Sequence, residues 1–151
     1  MDILLYDQAA AREHWLAELR LAAWEAGAFL CRMLDEGSLE KNLGDGAEVV
    51  LLTDGDRLVS YCTFAPYDDV WDDRTETPWI GFVYTFPAYR GQHCAGQLLA
   101  YCEQLAAQAG KQYVYISTPH VGLYEKYGYD FHRHANDYLG NACRVYRKAV
   151  S

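Results

Sequence analysis

Residues 86–99 are rich in small and polar residues, a composition typical of a loop that binds phosphate. Small side chains let backbone N–H groups approach an anion, and a helix that begins in the loop adds the positive end of its dipole. An arginine adds a charge-assisted hydrogen bond. The sequence therefore predicts a phosphate or diphosphate site here. The residues expected to form it are Arg90, Gly91, Gln92, His93, Cys94, Ala95 and Gly96.

The segments on either side of this loop have the patterns of a strand and a helix. Residues 79–86 are strand-like, with aromatic and β-branched side chains. Apolar residues recur at helical spacing from Ala95 to Ala109, and Gly110 ends the pattern. A strand followed by a small-residue loop and a helix start directs free N–H groups and the helix dipole at one place.

The remaining patterns predict one α+β domain spanning residues 1–151. Helical spacing extends from Gln8 to about Leu34, and Gly27 is expected to break or bend it. A short helix is expected to begin at Thr118-Pro119 and to end at Gly128. An acidic, aromatic loop covers residues 66–78, and further strands are predicted at residues 3–6, 48–53, 57–65, 113–117, about 129–135 and 142–149.

Composition and charge exclude several classes of protein. The net charge of −8, with no basic stripe, argues against nucleic acid as a partner. No apolar run approaches the ~20 residues that cross a membrane. The first residues lack a signal-peptide pattern, so we expect a cytoplasmic protein with no membrane partner. The five cysteines are odd in number and include no C-x-x-C pair, which argues against a disulfide framework or a metal site.

A second motif, Leu123-Tyr-Glu-Lys-Tyr-Gly-Tyr129, follows the predicted phosphate loop. Together the two segments resemble the GNAT superfamily of acyl-CoA-dependent N-acetyltransferases. In that family V-x-P-x-Y-R-G-x-G-x-G/A binds the coenzyme A pyrophosphate, and L-Y-x-x-x-G-F follows it. The resemblance covers residues 48–149. It implies a single-domain fold with a mixed, mostly antiparallel central sheet and helices on both faces, with acetyl-CoA as co-substrate and no metal.

The resemblance also implies roles for individual residues. Backbone groups of Val83, Tyr84 and Thr85 would hydrogen-bond the pantetheine arm as if it were another strand. Such binding needs a splayed sheet edge, and Gly81 is a reasonable place for an irregularity. Tyr124 would protonate the departing thiolate, which needs only modest help because a thiol pKa is about 8.5.

His93 departs from the family pattern, because it stands at a usual glycine position. A histidine still supplies its backbone N–H if the position has helical φ and ψ. We therefore expect the phosphate loop to survive with helical backbone at His93, and to fail if that position requires positive φ. Cys94 lies in the same loop, and filling space there is a simpler interpretation than a catalytic thiol.

The general base is the least defined part of the predicted site. His120 would lie on the first turn of the helix that carries Tyr124, which makes it the catalytic candidate. His132 and His134 alternate on a predicted strand and are expected to share one face. The acidic loop could attract a cationic amine, although such a run of charge is more often simply solvated. Its members are Asp68, Asp69, Asp72, Asp73 and Glu76, flanked by Trp71 and Trp79.

The function predicted from these motifs is transfer of an acetyl group from acetyl-CoA to a primary amine by direct attack. The acceptor is a small-molecule or peptide amine that the sequence does not identify. A non-catalytic acyl-CoA-binding or regulatory module on the same fold is the alternative, and a nucleotide-binding domain is a weaker one. The oligomeric state is also open, and a homodimer is compatible with the sequence.

Overall fold

A mixed seven-stranded sheet organises the protein, which is described here by a computed structural model covering residues 1–151. The strand order is β1-β2-β3-β4-β5-β7-β6, and every neighbouring pair is antiparallel except β4 and β5. The strands are β1 (Asp2–Leu5), β2 (Glu48–Asp54), β3 (Arg57–Ala65), β4 (Trp79–Thr85), β5 (Tyr113–Thr118), β6 (Asp130–Asn136) and β7 (Ala142–Ala149).

Helices cover both faces of the sheet, which confirms the predicted α+β architecture. The α-helices are α1 (Arg12–Leu19), α2 (Glu25–Glu36), α3 (Leu39–Leu43) and α4 (Cys94–Gln108). Short 3₁₀ helices lie at Tyr6–Gln8, Pro87–Tyr89 and Glu125–Tyr127. No helix is long and apolar enough to cross a membrane.

Two apolar layers hold these helices to the sheet. On one face, here called the α4 face, Leu98 and Leu99 of α4 pack on Val59 and Ile80. On the opposite face, the α1–α2 face, Leu19 of α1 and Leu30 and Met33 of α2 pack on Leu51. These apolar side chains are almost completely removed from water. Burial of this kind contributes about 1.5–3 kcal/mol for each large side chain.

Two predicted helical segments differ from the structure. The long N-terminal helix is broken at residues 20–24, between α1 and α2, and Gly27 lies inside α2 rather than at the break. The predicted helix after Thr118 does not form, and only the 3₁₀ turn at Glu125–Tyr127 is present. Gly122 and Gly128 both have positive φ and leave too few residues between them to nucleate an α-helix.

The sheet opens between β4 and β5. The two parallel strands share one register pair, Trp79 with Tyr115, and the Tyr115 N–H donates to the carbonyl of Pro78 at 3.0 Å. Beyond that pair they diverge, so the edge of β4 that faces β5 has no strand beside it from Ile80 to Thr85. This opening, which we call the β4–β5 gap, joins the two faces of the sheet.

A β-bulge in β4 shapes the gap. Tyr61 pairs with Tyr84 and Thr63 with Gly81, so two residues of β4 lie opposite one residue of β3. The extra residue is Phe82, whose φ of 50° is unusual for a bulky side chain. The irregularity expected at Gly81 is therefore centred one residue later. It places Gly81 and Phe82 on the same face of the sheet.

Candidate active site

The predicted phosphate loop lies at the N-terminus of α4, at the open end of the β4–β5 gap. Helix α4 begins at Cys94, and its first turn contains no acidic residue. The backbone N–H groups of residues 91–96 donate to no acceptor within the chain. These consecutive free donors, together with the dipole of a 15-residue helix, form a site for an anion.

His93 adopts the left-handed conformation that the sequence analysis treated as harmful to the loop. Its φ is 58° and its ψ is 30°, and it is the N-cap residue of α4. The condition of helical backbone at this position is therefore not met. Histidine is among the residues that tolerate this region best, and its N–H stays unpaired, so the run of free donors is unbroken.

The two glycines of the loop have different surroundings. Gly91 has a φ of 80° and no atom within 4 Å of the place where a Cβ would lie, so the loop is open to a ligand there. Gly96 instead accommodates Tyr127, whose ring carbon would be 2.8 Å from an added Cβ. Gly96 therefore lets the Tyr127 ring pack on the first turn of α4.

The other loop residues differ in their exposure to solvent. Gln92 is exposed and Ala95 is half-buried. The Cys94 thiol is buried, and burial raises its pKa, which disfavours the reactive thiolate. Space filling is thus the better interpretation of Cys94.

Arg90 is directed back toward β4 rather than into the run of free amides. Its Nε donates to the carbonyl of Thr85 at 2.9 Å, and its guanidinium lies 5.5 Å from the ring centre of Tyr84. Tyr84 is itself stacked on Trp24, with 5.3 Å between ring centres. The arginine therefore fixes the end of β4, while its two terminal nitrogens have no partner in the chain.

Residues 83–85 line the unpaired edge of β4. The side chain of Val83 packs on the α4 face, and that of Tyr84 on the α1–α2 face. Thr85 hydrogen-bonds Ser60 of β3 at 2.9 Å, which anchors β4 on its paired side. The backbone on the other side faces the β4–β5 gap, as binding of an extended chain requires.

Tyr124 lies on the α4 face, in the turn that follows β5. Its side chain is buried against the apolar layer, and its hydroxyl hydrogen-bonds no other group of the chain. Burial is the main cause that raises its pKa, with smaller contributions from Cys62 and Asp68. A phenol in this state keeps its proton at neutral pH and is free to donate it.

His120 does not share a helical turn with Tyr124, because the predicted helix is absent. It lies exposed in the bend after β5, where its backbone N–H donates to Thr118 Oγ1 at 3.1 Å. Its ring makes no hydrogen bond or aromatic contact within the chain. The structure therefore gives no support to His120 as the general base.

Asp68 occupies the α1–α2 side of the gap. Its carboxylate lies directly over Gly81, where any Cβ would overlap it. Burial and the neighbouring Asp69 carboxylate raise the pKa of Asp68 well above its usual value. The sequence analysis included Asp68 only as one charge of the acidic loop. The signal that could have singled out a close approach was a glycine inside a strand.

The rest of the acidic loop is solvated only in part, because Asp72 and Asp73 are exposed but Glu76 is not. Glu76 is buried and is hydrogen-bonded by Arg133 of β6, which also bonds Asp72. Trp79 is fully buried, whereas Trp71 is half-exposed and stacks on Tyr138. The loop is therefore fixed to the sheet around Asp68.

His132 and His134 do not share a face. A bulge in β6 shifts the register between Phe131 and Arg133. As a result His132 approaches Glu76, with 3.4 Å between Nε2 and Oε2, on the α1–α2 face. His134 instead packs on Phe131, with 5.0 Å between ring centres. Neither histidine has a contact with Tyr124 or Asp68.

The model of the acetyltransferase (GNAT) family matches residues 10–129. The chain belongs to this family. Membership makes it an acyltransferase that uses acetyl-CoA, which confirms the predicted family and reaction class and favours the enzyme over a non-catalytic module. A search of curated proteins finds no match.

Solved structures agree with this assignment at the level of the fold. A GNAT family protein from Desulfovibrio desulfuricans superposes with a TM-score of 0.72 at 15% identity, covering 99% of both chains. The aminoglycoside 6'-N-acetyltransferase from Enterococcus faecium gives 0.67 at 17% identity and covers 100% of this chain and 98% of its own. YhbS from Escherichia coli, solved with CoA, superposes with a TM-score of 0.67 at 18% identity, and the match covers 99% of this chain and 81% of YhbS.

The conformation of His93 yields a test of the loop. We expect His93→Val to lower the free energy of unfolding by about 1–2 kcal/mol, because a β-branched residue resists positive φ. His93→Gly should be no less stable than the parent protein. Urea denaturation measures both values. Equal stability of the valine and parent proteins would show that His93 does not hold this conformation.

Proposed function

We propose that the protein transfers the acetyl group of acetyl-CoA to a primary amine, with the β4–β5 gap as the site of transfer. The observation that carries the proposal is the position of Tyr124 on one face of the gap and Asp68 on the other, together with the free amides of residues 91–96 at the end of the gap. The gap thus has an anion site at its end, a proton donor on one side and a carboxylate on the other.

The free N–H groups would hold the coenzyme A pyrophosphate. Their donors are backbone groups, so binding does not depend on a cluster of basic side chains in this acidic protein. The unpaired edge of β4 at residues 83–85 would bind the pantetheine arm by strand addition. The donor brings the acetyl thioester, and the chain supplies its orientation.

Asp68 is the general base of the proposed mechanism. An amine must lose a proton before attack, because its pKa is near 10. The raised pKa of Asp68 makes its carboxylate a stronger base than an ordinary aspartate, and its place beside Gly81 puts it at the mouth of the gap. Its negative charge also favours a cationic amine over a neutral acceptor.

Tyr124 is the general acid of the proposed mechanism. As the amine nitrogen bonds to the carbonyl carbon and the C–S bond breaks, the hydroxyl gives its proton to the sulfur. Asp68 passes to solvent the proton that it took from the ammonium before attack, and the excess proton that remains on nitrogen returns through solvent to the phenolate of Tyr124. Backbone N–H groups along the edge of β4 would polarise the carbonyl.

The acceptor class remains a primary amine, and Asp68 and Asp69 favour one that is positively charged. The solved aminoglycoside acetyltransferases are consistent with such an acceptor. Polyamines, aminoglycosides, amino acids and peptide amines all meet this chemical requirement. A panel with one member of each class, monitored by release of the CoA thiol, would identify the acceptor.

Donor binding is tested by thermal unfolding with acetyl-CoA and CoA. Ligand at ~100 times its dissociation constant should add about 2.7 kcal/mol to the stability of the folded state. ATP is the control, since it carries phosphates without a pantetheine arm. An unchanged unfolding temperature at millimolar acetyl-CoA would refute the donor site.

Tyr124→Phe tests the general acid. We expect kcat to fall by at least about tenfold, at the lower end of acid–base effects because a thiolate leaves readily. Folding should be unaffected, since the hydroxyl has no hydrogen-bond partner in the chain. Tyr127→Phe is the matched control and should keep full activity. Unchanged turnover of Tyr124→Phe at all pH values would exclude this role.

Asp68→Asn tests the general base and gives a pH signature. We expect kcat/KM for the amine to fall by about 100-fold or more and to lose the rise with pH that Asp68 ionisation produces in the parent. Because the folded-state pKa is raised, the unfolded chain loses this proton first, so Asp68 makes the parent less stable as pH rises between the two pKa values. The Asn variant should therefore gain stability relative to the parent across that interval.

Asp73→Asn is the matched control, because Asp73 is an exposed carboxylate in the same loop. It should retain both the activity and the pH profile of the parent protein. If Asp68→Asn also retained them, the carboxylate would have no part in proton transfer. Thermal unfolding between pH 4 and pH 8 provides the stability comparison.

A further inference from the structure

Arg133 of β6 connects the far edge of the sheet to the loop that carries Asp68. Its two terminal nitrogens donate to Asp72, with NH1 at 2.9 Å from Oδ2 and NH2 at 2.8 Å from Oδ1. Its Nε donates to Glu76 Oε2 at 3.1 Å, and NH2 also bonds the other oxygen of Glu76. One guanidinium thus binds both carboxylates, which lie at two points of the 66–78 loop.

Within this network, the Glu76 carboxylate is the group that needs a counter-charge. The Glu76 side chain is 6% exposed, whereas that of Asp72 is 55% exposed. A buried carboxylate is stable only when it is paired, while an exposed pair contributes little. His132 is the other cation near Glu76, at 3.4 Å, but it is charged only when protonated. Arg133 is therefore the permanent counter-charge for Glu76.

The bulge in β6 is what brings Arg133 to this loop. Phe131 pairs with Tyr146 and Arg133 with Val145, so one residue of β6 is extra. In a regular strand of the same sequence, Arg133 would lie opposite Arg144 and would point to the α4 face. The bulge turns both His132 and Arg133 to the α1–α2 face, where Glu76 lies.

The same hairpin holds the loop at a second point, next to Asp68. The Tyr138 N–H, in the turn between β6 and β7, donates to the carbonyl of Asp69 at 2.9 Å. The rings of Trp71 and Tyr138 stack with 5.1 Å between centres. The β6–β7 hairpin therefore contacts the loop at two places, both after Asp68 in the chain: through a backbone hydrogen bond at Asp69 and through the charged cluster at Asp72 and Glu76.

We propose that Arg133 is a positioning residue for the acceptor half of the active site, and that it holds Asp68 over Gly81 through its bonds to the buried Glu76. This inference rests on the proposed function, because it assigns Arg133 a role in the use of the amine. Arg133 itself does not touch Gly81 or Tyr124. Its effect passes through the 66–78 loop and leaves the donor site at residues 91–96 unchanged.

Arg133→Met should release the loop, because Glu76 would be left buried without a permanent counter-charge. Hydrogen exchange measured by mass spectrometry should become at least about tenfold faster in residues 66–78, an opening of a local unit rather than of the whole protein. Peptides covering residues 91–99 should exchange as in the parent. This measurement requires no substrate, so it decides the structural part of the proposal even if the protein acetylates no amine of the panel.

The catalytic part is tested by a split between the two substrates. With the best amine of the panel, Arg133→Met should lower kcat/KM for the amine by about 10- to 100-fold, the scale expected for a misplaced group. The KM for acetyl-CoA should change less than twofold. Arg133→Lys keeps a charge beside Glu76 and should restore at least half of the lost protection and activity. Asp72→Asn, which removes only the exposed partner, should behave like the parent.

Three results would overturn the proposal. Unchanged exchange in residues 66–78 would show that Arg133 does not hold the loop. A KM for acetyl-CoA that rises by as much as the loss in kcat/KM for the amine, with no rescue by lysine, would show a general loss of folding instead. Faster hydrogen exchange in residues 66–78 of Arg133→Met, combined with full turnover of the amine, would show that Asp68 does not need the loop to be fixed. If Arg133→Met shows the predicted faster hydrogen exchange but the parent protein acetylates no amine, the result would count against the proposed function alone.

Discussion

The parting of β4 and β5 after one register pair is the constraint on which the rest of the structure depends. Backbone N–H and C=O groups in a sheet interior need partners, so an open edge between two central strands must be filled from outside or be solvated. Here the opening continues into the free amides before α4. The fold thus presents unpaired backbone groups along the edge of β4 and again at residues 91–96, an arrangement that matches an extended ligand that ends in phosphate.

Two β-bulges arrange the side chains around this opening. The bulge at Phe82 keeps Gly81 and Phe82 on the α1–α2 face, and the glycine leaves room for Asp68. The bulge in β6 turns Arg133 toward the same face. Each inserts one residue and reverses the alternation of every residue after it. Chemistry on the acceptor side of the sheet therefore depends on irregularities in its strands.

The two faces of the gap also differ electrostatically. Tyr124 is surrounded by apolar side chains on the α4 face, where burial keeps it protonated. Asp68 lies among carboxylates on the other face, and its charge is both disfavoured by burial and repelled by Asp69. Such divergent environments suit an acid and a base in one reaction. In the proposed reaction, a cationic amine would enter on the side of the acidic 66–78 loop.

The sequence by itself determined the fold class and the strands at residues 57–65 and 142–149, and it singled out the phosphate loop and Tyr124 as candidates, because these depend on local periodicity and on motifs within one segment. It could not determine the base. The His120 prediction needed a helix that two glycines prevent, and the shared face of His132 and His134 assumed an unbroken strand. Only tertiary structure brought Asp68 over Gly81 and Arg133 to Glu76. Those contacts join segments distant in the chain, and their register is set by packing rather than by neighbouring residues.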